Sequence, residues 1–158
     1  MQKEFYSNGK LLLSGEYAVL DGAMALAIPT SYGQSLKAIP TSSAQLKWVS
    51  YDESDHVWFH AEFDIEDLSI ISTTDRKTAQ TLMGLLQQAK LDNPLFLSDN
   101  DGFLVETHLT FPRAWGLGTS STLINNLAQW ARVDAYELLW KAFGGSGYDI
   151  ACAQHNSP

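Results

Sequence analysis

Residues 112–122 read PRAWGLGTSST and join a segment of strand periodicity to one of helical periodicity. Apolar residues alternate along 103–111, which is typical of a half-buried strand, and Pro112 ends that run. Beyond the glycines, apolar residues between 123 and 131 recur every three or four positions, which predicts an amphipathic helix. The quoted stretch is therefore predicted to be a strand-to-helix turn.

This turn has the composition of a phosphate-binding loop. Its glycines permit close approach of the backbone to a ligand, and amides at a helix start lack helical partners. Such amides form a nest that suits phosphate. The candidate phosphate-binding residues are Gly116, Leu117, Gly118, Thr119, Ser120 and Ser121. Taken alone, the stretch is more often a glycine turn with a Ser/Thr helix cap, and it is not a Walker A loop because no lysine follows the glycines.

The remaining pattern predicts further strands and helices. Strand-like runs cover residues 5–13, 17–28, 36–39, 46–51 and 57–63, and helical patterns cover 75–91, 134–143 and the segment from 148 onward. Pro29 is expected to end the first block of strands, and a turn is expected at residues 40–43. The short strands that follow favour an antiparallel meander.

Composition excludes several classes of function. The chain has 158 residues, 45% of them hydrophobic, and a formal net charge of -8. That length predicts one domain, and the negative charge argues against binding nucleic acid or an anionic membrane surface. One cysteine, Cys152, permits no internal disulfide, which suits a reducing compartment. We expect a cytoplasmic protein without a signal peptide or a membrane span.

Two further segments carry charged residues beside glycines. Lys10 enters an apolar run after Gly9, where its ammonium either snorkels to water or is held against an anion. Asp149 follows three glycines at the head of another apolar run. It is either a helix cap or a carboxylate that accepts the proton of a substrate hydroxyl during phosphoryl transfer.

All three segments, in this order, resemble the N-terminal half of the GHMP kinases, the family named for galactokinase, homoserine kinase, mevalonate kinase and phosphomevalonate kinase. Residues 9–19 are similar to the family's first motif, and 116–122 resemble its phosphate-binding loop. Residues 146–151, SGYDIA, resemble the segment that bears the catalytic aspartate and look like a bacterial subgroup of the GYDIA type.

The resemblance implies an ATP-dependent enzyme that uses Mg²⁺. Asp149 and Lys10 would be catalytic, and Lys10 would lie near Asp149 and the substrate hydroxyl. Ser120 would contact the metal, and Glu137 is a second candidate metal ligand in a segment that does not align securely. The candidate substrate-site residues are Glu16, Ser146 and Gly147.

The resemblance also implies an α+β fold of the ribosomal protein S5 domain 2 type, with a mixed sheet and helices on one side. Residues 1–158 would form the N-terminal, ATP-phosphate-binding domain, and the C-terminal domain of the family would be missing. The phosphate acceptor would be a small mevalonate-like metabolite. The isolated chain is expected to bind nucleotide poorly and to turn over slowly or not at all.

Two alternatives remain open on the sequence. One is a noncatalytic ligand-binding or subunit-contact module that keeps the fold. The other is a decarboxylase of the diphosphomevalonate type, because that reaction also begins with phosphorylation on the same fold.

Overall fold

The computed structural model describes residues 1–14, 24, 26–99 and 101–156. The six strands are β1 (Lys3–Ser14), β2 (Leu26–Thr41), β3 (Gln45–Tyr51), β4 (Val57–Asp64), β5 (Ile70–Thr73) and β6 (Gly102–Leu109). The four α-helices are α1 (Arg76–Asp92), α2 (Thr119–Ala131), α3 (Ala135–Ala142) and α4 (Tyr148–Gln154). None of the helices in the described ranges is both long and apolar enough to cross a membrane.

The strands form one mixed sheet in the order β1-β2-β6-β3-β4-β5. Strand β6 pairs antiparallel with β2 and parallel with β3, so it separates the two. The predicted meander is therefore wrong at this point, although β3, β4 and β5 do pair antiparallel in sequence order. Periodicity predicted β6 as a strand but carried no information about its partners. The α+β class with a mixed sheet is confirmed.

Strand β2 is longer than the sequence predicts, because it runs through both Pro29 and Pro40. The expectation that Pro29 ends the strand is wrong. Each proline lies where β2 has a single neighbour: Pro29 pairs with Lys10 of β1, and Pro40 pairs with Phe103 of β6. A proline lacks the N–H needed for a ladder on both sides, so it is tolerated where one side is free.

Helix α1 covers the apolar core on one face of the sheet. Asp75 caps it by accepting a hydrogen bond from the amide of Lys77 at 3.1 Å. The residues that α1 buries are Ala79, Leu82, Leu85, Leu86 and Ala89. They join one apolar cluster with Trp48, Phe59, Phe63, Val105 and Ile124 from the sheet and α2. This core fixes α2 against the strands, and thereby fixes the loop that precedes α2.

Candidate active site

The glycine loop enters α2 as the sequence predicts, through a short 3₁₀ helix at Arg113–Trp115. Gly116 and Gly118 then adopt left-handed conformations with φ of 69° and 92°. A residue with a Cβ is strained there, and at Gly118 the Cβ would also lie 2.6 Å from the Ser121 hydroxyl oxygen. Two glycines are thus required by the path of the backbone.

The start of α2 leaves backbone donors available. Gly118 is the N-cap, and no side chain caps the helix. The amide of Thr122 donates to the Gly118 carbonyl, whereas the amides of the three preceding helical residues have no intrahelical acceptor. The Ser121 hydroxyl also donates to that carbonyl, at 3.1 Å. Thr119 and Ser120 line the adjoining cavity.

The loop is joined directly to strand β1. The amide of Lys10 donates to the Leu117 carbonyl at 2.9 Å. Gly9 allows this approach, because a Cβ there would lie 2.8 Å from the same oxygen. The aliphatic part of the Lys10 side chain crosses Gly118, where a Cβ would lie 3.3 Å from Cγ. The first two predicted motifs therefore form one structural unit.

Lys10 and Asp149 are in contact. Lys10 Nζ lies 2.7 Å from Asp149 Oδ1, and their side chains are 17% and 30% exposed. Nζ also donates to the Tyr148 hydroxyl at 3.1 Å and lies 4.7 Å from the centre of that ring. The pair is therefore sheltered from bulk solvent yet open enough for a ligand to reach.

Electrostatics favours the charged form of Lys10. Burial alone would lower the pKa of Lys10, but Asp149 and the Tyr148 hydroxyl outweigh it and hold the pKa above its usual value. Burial also raises the pKa of the nearby Cys152 thiol, and the Asp149 charge adds to that effect. The site thus holds a fixed cation beside a carboxylate and a neutral thiol.

Helix α4 is positioned by a glycine at its start and by packing on β1 and α2. Gly147 has φ of 83°, and a Cβ there would lie 3.0 Å from the ring of Tyr136. Ser146 is exposed just before this turn. Of the two candidate substrate-site residues on this segment, Gly147 therefore directs the backbone, while Ser146 offers a free surface hydroxyl.

A buried polar network connects the elements that carry these motifs. The Ser7 hydroxyl donates to Asn126 at 2.7 Å and accepts from Asn125 at 2.8 Å. Asn126 donates to the Gln34 carbonyl, and Asn125 accepts from Gln154 of α4. Strand β1, helix α2 and helix α4 are thus tied together by specific hydrogen bonds. Periodicity alone could not identify these polar residues as buried.

A cavity of about 490 Å³ adjoins the loop. Thr119 and Ser120 form one wall, and Trp58 and Arg113 form another. The Arg113 guanidinium stacks on the Trp58 ring, 3.8 Å from its centre. The remaining lining residues are mainly apolar, among them Trp48, Phe59, Leu82, Leu85, Leu123 and Ile124. No sequence pattern predicts this cavity, because its walls come from β3, β4, α1, α2 and the 3₁₀ helix, with Phe143 from the end of α3.

The candidate metal ligands are not gathered into a carboxylate cluster. Glu137 lies exposed in the first turn of α3, where its amide donates to the cap residue Asp134 and its charge acts on Lys141. Within residues 1–14, 24, 26–99 and 101–156, no three His, Cys, Asp or Glu side chains form a metal-binding group. Glu16 lies outside the described residues.

Neither a protein-family model nor a curated protein matches this chain in sequence. Solved structures do match it. Mevalonate kinase from Methanococcus jannaschii superposes with a TM-score of 0.64 at 12% identity, over 95% of this chain and 51% of that one. Phosphomevalonate kinase from Streptococcus pneumoniae, in complex with phosphomevalonate and AMPPNP, gives 0.61 at 18% identity, over 96% and 46%.

The fold is shared by enzymes of more than one activity. A mevalonate diphosphate decarboxylase from Legionella pneumophila superposes with a TM-score of 0.54 at 14% identity, over 95% of this chain and 49% of that one. The chain therefore spans about half the length of each of these solved structures. At such identities the likeness concerns the fold, and the fold is that of the N-terminal domain of GHMP kinases.

Proposed function

We propose that this chain supplies the phosphate-binding and proton-accepting half of an ATP-dependent kinase that acts on a small mevalonate-like metabolite. The observation that carries the proposal is the meeting of three distant segments. Lys10 of β1 lies against Gly118 of the loop and 2.7 Å from Asp149 of α4. A glycine turn alone is common, but a free helix start beside a paired cation and carboxylate suits phosphoryl transfer.

Asp149 would accept the proton of the acceptor hydroxyl. As that hydroxyl oxygen forms its bond to the γ-phosphorus, the bond from the γ-phosphorus to the bridging oxygen breaks and ADP leaves. Lys10 would stabilise the charge on the phosphoryl oxygens. The raised pKa of Lys10 supports this role, because the side chain stays charged at neutral pH.

The amides at the start of α2 would hold the nucleotide phosphates. Thr119 and Ser120 belong both to this helix start and to the cavity wall, so the cavity is the adjoining space for the base. Its volume of about 490 Å³ and its aromatic walls suit a planar ring system. Arg113 would add a positive charge beside the phosphates.

The oxygen ligands of this region supply only part of what a Mg²⁺ site needs. Ser120 has a hydroxyl at the cavity wall, and Mg²⁺ commonly binds through few protein oxygens together with substrate phosphates. Glu137 remains a candidate for the carboxylate ligand. The ion would neutralise charge on the phosphates when it is bound.

A second α/β domain would complete the cleft. The chain spans about half of each matched structure, which motivates this part of the proposal. Exposed apolar residues near the loop, including Trp115, Leu11 and Leu13, offer a surface for such a domain. Within the GHMP kinases we propose the GYDIA-type subgroup, on the basis of the sequence motif at residues 146–151.

The test is a phosphoryl-transfer assay on a form that carries both domains. The acceptor panel contains mevalonate, phosphomevalonate, diphosphomevalonate and homoserine, and the products are identified by mass. We expect ADP and a phosphorylated acceptor, and we expect Asp149→Asn to lower kcat by about 10²- to 10⁴-fold. Nucleotide binding without transfer to any acceptor would support a noncatalytic module instead. Release of carbon dioxide from diphosphomevalonate would identify a decarboxylase.

A further inference from the structure

Tyr148 provides a second anchor for the Lys10 ammonium. It is the first residue of α4, directly before Asp149, and its side chain is half-buried. Its hydroxyl accepts a hydrogen bond from Lys10 Nζ at 3.1 Å, and its ring centre lies 4.7 Å from the same atom. Two consecutive residues of one helix therefore hold the same cation.

The two anchors act differently. The contact of Lys10 with Asp149 is short, at 2.7 Å, but Asp149 Oδ1 has no hydrogen-bond partner of acceptable angle among the described residues. An ion pair without such alignment attracts Nζ but does not fix its direction. The Tyr148 hydroxyl accepts a well-aligned hydrogen bond from Nζ. The hydroxyl therefore adds a directional contact to the charge attraction between Lys10 and the carboxylate.

An ammonium group has three N–H donors. In the described part of the chain, the contacts of Lys10 Nζ are Asp149 and Tyr148. These two contacts occupy at most two donors, so at least one is available to a ligand. The Lys10 stem crosses Gly118, so the ammonium group is carried next to the phosphate loop.

We propose that Tyr148 is a positioning residue, whose hydroxyl orients Lys10 so that its remaining N–H can reach the phosphoryl group being transferred. The proposal rests on the proposed kinase function and goes beyond it by giving a role to a residue that does not react. Phenylalanine would fill the same space and keep the ring contact. Tyr148→Phe would therefore keep the packing of the ring and remove only the hydroxyl.

A double-mutant cycle tests whether Tyr148 acts through Lys10. Tyr148→Phe is compared in the wild-type and Lys10→Met backgrounds by urea unfolding of the 158-residue chain. In the wild type, we expect the change to favour unfolding about 10- to 100-fold, the usual value of one hydrogen bond to a charged group. In Lys10→Met we expect no effect. An equal effect in both backgrounds would overturn the proposal.

Tyr136→Phe is the matched control. Tyr136 packs against Gly147 at the start of the same helix, and the described hydrogen bonds of its hydroxyl do not include Lys10. Its effect should be the same with Lys10 or Met at position 10. The control thus separates loss of one hydroxyl near α4 from loss of the hydroxyl that holds the ammonium.

A second readout reports on Lys10 itself. NMR titration of ¹³Cε in lysine-labelled protein should give a lower Lys10 pKa in Tyr148→Phe than in Tyr136→Phe, because the hydroxyl stabilises the charged form. In the two-domain form, kcat should fall about tenfold while KM for ATP stays unchanged. An unchanged Lys10 pKa would overturn the positioning role.

These readouts separate the two proposals. Coupling between Tyr148 and Lys10 in a protein that transfers no phosphate would support the geometry and contradict the kinase. Transfer of phosphate with an uncoupled Tyr148 would contradict the positioning role alone.

Discussion

The side chain of Lys10 lies across Gly118, so that a Cβ added at Gly118 would come within 3.3 Å of Lys10 Cγ. The catalytic lysine proposed above therefore occupies the space that any larger residue in the loop would need. This relationship makes the glycine a requirement of the assembled site as well as of the backbone.

Gly118→Ala should weaken binding of inorganic triphosphate by about tenfold or more. The φ of 92° strains an alanine, and the new Cβ meets both Ser121 and Lys10; a penalty of about 1.4 kcal/mol already gives tenfold. Calorimetry or ³¹P NMR measures the affinity.

Two alanine controls separate the causes of that loss. Gly116→Ala has a similar positive φ of 69° but nothing within 4 Å of its Cβ, so it reports strain alone. Gly84→Ala lies in α1 with open space and should leave binding unchanged. Equal losses at 116 and 118 would show that contact with Lys10 is irrelevant.

Trp58→Leu should weaken ATP binding by about 5- to 100-fold and leave triphosphate binding unchanged. The indole is one of the aromatic side chains that line the cavity beside Thr119 and Ser120, and stacking of a base is worth roughly 1–3 kcal/mol. Competition binding with ATP and triphosphate measures the difference. A parallel loss for both ligands would contradict the assignment of the cavity to the base.

Asn126→Leu should destabilise the chain by about 1–3 kcal/mol, because it removes the acceptor of the buried Ser7 hydroxyl and a donor to the Gln34 carbonyl. Urea unfolding measures the loss. Gln88→Leu is the control, since the bond of Gln88 to Asp92 lies at the surface and its removal should change stability by less than about 0.5 kcal/mol. Similar losses of unfolding free energy in both variants would contradict a structural role for the network.

Lys10→Met should lower stability near pH 8, and the deficit should shrink as pH rises. The pKa of Lys10 is raised in the folded protein, so its contribution is complete below the unfolded pKa of about 10.4 and is lost as pH passes the folded pKa. Urea unfolding between pH 8 and 11.5 tests this.

Lys141→Met provides the electrostatic control for that experiment. Its pair with Asp92 also raises its pKa, but the pair is exposed at the surface. Added salt should therefore remove the effect of Lys141 and largely preserve that of Lys10. A Lys10 effect that disappears in salt would show that the site is fully solvated.

The sequence predicted those parts of the fold that have a local signal. Helix α1 begins beside its predicted cap Asp75, strands β3 and β4 coincide with predicted strand-like runs, and β6 matches its alternating pattern. The neighbours of β6 were not predictable, because pairing is a long-range property. The predicted β2 is too short, because the effect of a proline depends on how many neighbouring strands flank it, and the sequence does not show that number.

The candidate site divides in the same way. Glycines and charges at Lys10, Gly118 and Asp149 were visible as motifs, and the structure brings them into contact. The roles of Tyr148 and Trp58 were not visible, because an aromatic residue in an apolar run is normally interpreted as core. Only the three-dimensional positions of neighbouring residues distinguish an aromatic residue of the site from one of the core.

The central place of β6 in the sheet has a consequence for synthesis on the ribosome. Strands β1 and β2 can pair early, and so can β3, β4 and β5, but nothing joins the two groups until residues 102–109 have emerged. Until then β2 and β3 each present an open edge, which is the state most exposed to aggregation. Folding of the whole sheet is therefore a late event. It coincides with synthesis of the strand that leads into the phosphate loop.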